Sequence, residues 1–378
     1  MRLITFTDTD TDTDTDTDTD TDTDTDTDTD TDRDRRWQHA VDPPSRVGVL
    51  HEDSVVDLYA CALAAARDRG LDHADARVMA RSVVPADMVM FFASGDQGRR
   101  LAEEAVTVAA NARDAGDDED GDAHALPLMR PWASLRTLAP VPRPRRLRDY
   151  LCSPAHLRLT NQTLPPAFEA MPVAWKGNPD TVIGPDELLL WPAYTDQLDF
   201  ELELGFYVGR GGRDLTVDQA WRHIAGVTIF NDVSARDIQL REMGLNLGPS
   251  KGKDFCSAMG PCVVTLDELD PDDVDVSVRV NGHTWATAST STAAFSFGEV
   301  LAWASYGEPV YPGEFLATGT VDGGCGLELD RWLAPGDLVE LEAEGIGVLR
   351  NEVGQKQTAP PGAGLSSFTG AARVGHLG

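Results

Sequence analysis

The stretch Asp199-Phe200-Glu201-Leu202-Glu203-Leu204-Gly205-Phe206-Tyr207-Val208 decides the fold. Charged and apolar residues alternate at its start, which is the two-residue period of a β-strand rather than of a helix. On such a strand Glu201 and Glu203 share one face, while Phe200, Leu202 and Leu204 share the other. Two neighbouring carboxylates repel unless a positive charge holds them ionised. A hard divalent cation with oxygen ligands does this most directly. A solvated strand face is the alternative for an isolated Glu-x-Glu.

Downstream, Ala225-Gly226-Val227-Thr228-Ile229-Phe230 reads as a buried strand running into Asn231-Asp232-Val233-Ser234-Ala235-Arg236-Asp237-Ile238-Gln239. Asp232, at the end of that strand, is placed to complete an oxygen cluster begun by the glutamates. Next comes Gly248-Pro249-Ser250-Lys251-Gly252-Lys253-Asp254-Phe255, which holds two of the four lysines among 32 basic residues. In a chain that otherwise uses arginine, this marks a position needing a compact ammonium with a tunable pKa.

Asp-Phe-Glu-Leu-Glu, Asn-Asp-Val-Ser-Ala-Arg-Asp-Ile-Gln and Gly-Lys-Asp-Phe, in this order and spacing, resemble the fumarylacetoacetate hydrolase family. Thr318-Gly319-Thr320-Val321-Asp322-Gly323-Gly324, Leu333-Ala334-Pro335-Gly336-Asp337 and Gly345-Ile346-Gly347-Val348-Leu349-Arg350-Asn351 continue the match, which runs over about residues 138–353. The fold expected is α+β. A β-rich catalytic domain of mixed sandwich or roll type (139–354) follows a small α+β N-terminal domain (37–138). A short start with a disordered Thr-Asp repeat (1–36) precedes both, and a flexible tail (355–378) follows.

The resemblance implies a divalent metal (Mg2+, Mn2+ or Ca2+) held by Asp149, Glu201, Glu203 and Asp232. Asp149 and His156 match the family's spacing between a metal-ligating Asp and a catalytic His seven residues on. Glu328 falls where the family has the glutamate that partners this His. On that basis His156, oriented by Glu328, is the general base that takes a proton from water. Arg236, Gln239 and Lys253 donate to the oxyanion, each such donor typically contributing about 10²–10³ in turnover. Thr320, Trp175 and Leu151 are expected to contact substrate. The family pattern has two tyrosines where this chain has Leu151 and Trp175, which leaves the substrate's identity open.

The activity implied is metal-dependent hydrolysis of a carbon–carbon bond in a β-diketo acid of fumarylacetoacetate or acylpyruvate type, without an organic cofactor. A 2-oxoacid decarboxylase or a sugar-acid dehydratase shares the same metal motif. A catalytically silent binding or scaffold protein is the alternative of another class. Family members are typically dimers, so a homodimer is expected.

Composition bounds the rest. A formal charge of −31, thirteen units of which come from the thirteen Thr-Asp pairs of residues 7–32, still leaves −18 and argues against nucleic acid or an anionic membrane as partner. The apolar content of 41% over 378 residues suffices for two cores. Five cysteines (Cys61, Cys152, Cys256, Cys262, Cys325) with no Cys-x-x-Cys argue against a zinc site or a disulfide framework. No apolar run is long enough to cross a membrane, and the first six residues are too short for a signal-peptide core, so a cytoplasmic location is expected.

In the N-terminal region, residues 47–50 and 55–58 read as strands and 59–69 and 99–113 as helices. Residues 114–122 form an acidic loop without the ligand order of an EF-hand. Residues 139–144 are a proline-stiffened linker. Later, 274–280 reads as a strand reaching an Asn281-Gly282 turn, 296–304 as a helix, and 319–326 as a glycine-rich loop able to bring backbone against a ligand. The Thr-Asp run has no apolar surface to bury. Removing residues 7–32 is therefore expected to leave stability and activity unchanged.

Overall fold

The computed structural model describes residues 1–8, 45–115, 126–159, 164, 166–245, 247–365 and 368. They form a mixed α+β structure, mostly sheet, that divides into two units. The smaller comprises Thr5–Asp87 and Asp96–Thr137, and the larger Met1–Ile4, Met88–Gly95 and Leu138–Gly378.

In the small unit, β1 (Arg2–Asp8) contributes its second half, and β2 (Arg46–His51) and β3 (Ser54–Asp57) form an antiparallel hairpin. Helix α1 (Leu58–Asp68) starts directly behind Asp57, whose side chain accepts from the Ala60 N–H and caps the helix. Helix α2 (His73–Val83) is capped in the same way by Asp72. Helix α3 (Met88–Ala93) belongs to the large unit, and α4 (Asp96–Ala115) returns to the small one, where β4 (Met129–Pro131) pairs with β3. The helices expected at 59–69 and 99–113 are α1 and α4. Helix α2, whose buried positions are Ala76 and Ala80, was not among the expected elements.

The first Thr-Asp pair is not part of a featureless run. It ends β1, where Asp8 forms ion pairs with Arg46, at 2.8 Å, and with Arg130. Those guanidinium groups hold the Asp8 carboxyl below its usual pKa although partial burial opposes the shift. The expectations for residues 9–36, for most of the acidic loop and for the end of the tail fall outside the described residues.

The longer strands of the large unit are β5 (Arg146–Tyr150), β6 (Ala174–Gly177), β7 (Leu202–Val208), β8 (Ile224–Asn231), β9 (Ser257–Val264), β10 (Asp275–Val280), β11 (His283–Ser289), β12 (Glu314–Ala317), β13 (Leu338–Ala343) and β14 (Gly347–Lys356), besides four of two or three residues. One sheet runs β9–β8–β7–β12–β5–β6, antiparallel except for the parallel pair β12/β5. The other has β11–β10–β13–β14 in antiparallel order. Its first hairpin turns at Asn281 (φ 53°) and Gly282 (φ 74°), as a type I′ turn requires. The helix read at 296–304 is α7 (Phe297–Ser305), with a Ser296/Glu299 capping box.

The alternation that opens the sequence analysis is present, but with a break. Leu198–Asp199 pairs with Ser234–Ala235, and β7 begins only at Leu202, so Glu201 sits between the two strands. Strand β7 is buried along its whole length. Phe206 packs 5.4 Å from Phe297, and Tyr207 and Phe230 lie 5.0 and 5.2 Å from Phe315, ring centre to ring centre. Its one charged residue, Glu203, is therefore buried in a polar site rather than facing solvent. The registers Leu202↔Asn231, Gly205↔Ala317 and Ala317↔Asp149 align the ends of β5, β7 and β8, and this gathers the site. Among the described residues no helix is long and apolar enough to cross a membrane.

Deleting residues 9–32 is expected to leave the melting temperature nearly unchanged. Deleting residues 7–32 also removes Asp8, takes from Arg130 its ion-pair partner and leaves Arg46 with Asp57, and is expected to lower it by several degrees. Equal melting temperatures for the two deletions would show that the strand end contributes nothing.

Candidate active site and metal centre

Three carboxylates reach one point from three strand ends. Asp149 is on β5, Glu203 is on β7, and Asp232 lies one residue beyond β8. A ligand oxygen of each lies within 4.8 Å of the others. Asp149 Oδ1, Glu203 Oε2 and Asp232 Oδ1 are buried without a hydrogen-bond partner. Burying such oxygens unpartnered costs several kcal/mol, on the order of 2–7 per group, unless a charge meets them. Burial, with Asp149, Glu201 and Asp232 adding repulsion, pushes Glu203 well above the usual carboxylate range. Burial likewise raises Asp232 well above it and Asp149 to about 6, in each case against the pull of Lys253. Oxygen-only donors, three of them unpartnered, fit a hard divalent cation.

Two buried cations offset part of this charge. Lys253 Nζ contacts both Glu201 and Asp232, and Arg236 Nη1 lies 2.7 Å from Glu201 Oε1. Burial alone would raise Glu201, but Arg236 and Lys253 outweigh it and hold this carboxyl below its usual range. Burial would equally weaken the Lys253 ammonium, and Asp232 and Glu201 reverse that, keeping it more firmly protonated than an ordinary lysine. Both oxygens of Glu201 meet cations, and the three carboxylates that converge are Asp149, Glu203 and Asp232.

Lys253 is positioned by an interaction that no sequence signal announced. Glu242, on helix α6 (Arg236–Met243), accepts the backbone N–H groups of Ser250, Lys251 and Gly252 at 2.7, 2.9 and 3.0 Å. (The short helix Pro154–Leu159 is α5.) A Cβ at Gly252 would stand 2.6 Å from Gln239 Cα, so only glycine lets this turn approach the helix.

Asp199 is the second residue the sequence reading passed over, although it heads the quoted motif. Its Oδ1 accepts from the Phe200 and Gly326 N–H groups, and its Oδ2 from Leu327 N–H and Arg236 Nε, all at 2.7–3.0 Å. One carboxylate therefore fixes both Arg236 and the start of helix α8 (Gly326–Leu329), which carries Glu328. At the end of the glycine-rich loop the backbone closes on Asp199: a Cβ on Gly326 would stand 2.4 Å from Asp199 Oδ1.

His156 and Glu328 meet across the fold, with 3.0 Å between Nδ1 and Oε1. The His156 N–H donates to Ser153 Oγ at 3.0 Å, and the Ser153 hydroxyl donates to Asp322 at 2.5 Å, which ties α5 to the glycine-rich loop. Cys325 lies beside the pair, and burial keeps its thiol neutral.

A cavity of about 270 Å3 opens onto these groups and includes Asp149, His156, Glu201, Glu203, Arg236 and Lys253. Gln239, Thr320, Trp175 and Leu151 also line it. Thr320 Oγ1 donates to Glu203 at 3.2 Å, and Gln239 Oε1 accepts from Arg236 Nη1 at 3.0 Å. The Trp175 indole N–H donates to the Pro249 carbonyl at 2.8 Å. It therefore serves the fold, and the ring, rather than the N–H, faces the cavity.

Residues 146–354 match the fumarylacetoacetate (FAA) hydrolase C-terminal family. The chain belongs to that family. The mitochondrial oxaloacetate tautomerase FAHD2A of Homo sapiens is 31% identical over 60% of this chain and 72% of its own length. Oxaloacetate tautomerase YisK of Bacillus subtilis (strain 168) is 29% identical over 75% of this chain and 92% of its own. Among solved structures, the fumarylacetoacetate hydrolase of psychrophilic Exiguobacterium antarcticum superposes with a TM-score of 0.60. It is 26% identical and covers 82% of this chain and 95% of that one.

Saturating Mn2+, at about 100 times its dissociation constant, is expected to stabilise the protein by about 2.7 kcal/mol, read as a rise in melting temperature of a few degrees. Glu203→Gln combined with Asp232→Asn should abolish that rise. An equal rise in the double variant would place the metal elsewhere.

Proposed function

We propose that this site generates and protonates the enolate of a 2-oxo acid, and that the reaction it completes is hydrolysis of a carbon–carbon bond in a β-diketo acid. The observation that carries this reading is the 3.0 Å His156–Glu328 pair, with His156 lining the same cavity as the unpartnered carboxylates. A divalent ion held by Asp149, Glu203 and Asp232, with Glu201 as a fourth oxygen donor, would polarise the substrate's oxygens and stabilise enolate charge.

The protein's own groups supply the proton handling. Glu328 accepts the Nδ1 proton of His156, which leaves Nε2 to take a proton from water. The resulting hydroxide adds to the distal carbonyl carbon. The carbon–carbon bond then breaks, its electron pair passes to the 2-oxo fragment as an enolate, and the His156 proton is delivered to that fragment's carbon. The other fragment leaves as a carboxylic acid. Arg236 Nη2, a buried donor without a partner, supports the negative charge that builds on the substrate oxygens.

A second reading rests on the similarity to oxaloacetate tautomerases. The same pair would then move a proton between carbon and oxygen of a 2-oxo acid, with no water added.

Wild type and His156→Ala should be offered a 2,4-dioxo acid and oxaloacetate in parallel, following pyruvate release and loss of enol absorbance. The hydrolytic reading expects pyruvate from the 2,4-dioxo acid, falling by about 10²-fold or more in His156→Ala, with Glu328→Gln in between. Enol loss without any cleavage would select the tautomerase reading. Wild-type cleavage by His156→Ala would sink the role given to the histidine.

A further inference from the structure

We infer that the substrate carries an apolar tail rather than a second carboxylate, and that helix α6 sets this selectivity; the inference rests on the 2-oxo acid reading above. Four residues of α6 line the cavity: Arg236, Gln239, Leu240 and Met243. They follow one another at i, i+3, i+4 and i+7, so they form one stripe along one helix face. Arg236 is 2% exposed and Met243 37%, so the stripe runs from the floor of the cavity to its mouth. Polarity changes along it from guanidinium to amide to alkyl to thioether. At 1.5 Å per residue the change takes about 10 Å.

The opposite wall repeats the pattern. Asp149 on β5 is paired with Trp175 on β6, and Val173, 56% exposed, stands just before that strand. Leu157 and Leu327 close the sides. The lysine and arginine among the described lining residues are Lys253 and Arg236, both at the floor and both paired with Glu201. A distal carboxylate would enter a region without a fixed cation and lose its hydration uncompensated. An alkyl or aryl tail would instead gain contact with Leu240, Met243 and the Trp175 ring.

The test compares two ligands of equal chain length, 2-oxooctanoate and 2-oxooctanedioate, which differ only in a terminal methyl or carboxylate. Their binding to Mn2+-loaded protein is measured by calorimetry, independently of turnover. 2-Oxooctanoate should bind at least tenfold more tightly. Met243→Lys, at a half-exposed position that the fold tolerates, should shift the ratio at least tenfold toward the dicarboxylate. Equal or tighter binding of the dicarboxylate by wild type overturns the inference, as does failure of both ligands to bind. Turnover of a 2,4-dioxo acid is judged separately, so cleavage without tail preference would leave the reaction standing and remove only the selectivity.

Discussion

The structure depends on a charge imbalance that it buries. Asp149, Asp199, Glu201, Glu203 and Asp232 come together where two cations, Lys253 and Arg236, are the counter-charges the chain itself provides. The division among them is uneven. Asp199 is saturated by four donors, and Glu201 is held by both cations. Asp149, Glu203 and Asp232 each keep an oxygen with nothing to receive. Isolated buried charge is intolerable at low dielectric, so these groups either carry protons or hold a cation.

The rest of the large unit positions this imbalance. Strand pairing brings β5, β7 and β8 to a common end, and the break before Leu202 frees Glu201 to turn toward Arg236. Asp199 then couples Arg236 to the helix carrying Glu328, so the two share one anchor. Removing it would leave the Gly326, Leu327 and Arg236 donors unsatisfied at about 1–3 kcal/mol each. Glu242 does for the Lys253 turn what Asp199 does for Arg236. Neither residue reaches the cavity, yet both fix groups that do.

Much of this was legible in the sequence. The period-two segment, the strand leading to Asp232, the Asn281-Gly282 turn and the Ser296-headed helix are local patterns whose physics needs no partner. Glu201, Glu203 and Asp232 were legible because acidic residues in a buried strand pattern require a counter-charge, whereas Asp149 came from the family resemblance. What was not legible depends on distant partners. Whether Glu201 meets Lys253 is decided by a turn that Glu242 holds, and the Trp175 N–H is taken by a carbonyl 74 positions away. Asp8 looked like one more unit of a repeat and became structural only beside Arg46 and Arg130.

The account's central claim is that the buried carboxylates hold protons until a cation replaces them. Asp149 is raised to about 6, and Glu203 and Asp232 lie further above the usual range, so the metal-free site is partly protonated near neutrality. Cation binding needs the ionised forms, so it must expel those protons, and affinity must weaken as pH falls. Calorimetric titration of Mn2+ at pH 7, in two buffers of different ionisation enthalpy, measures the protons released per ion. The account predicts at least about one proton per ion bound, and a greater release at pH 6. Binding with no proton release at either pH would contradict it.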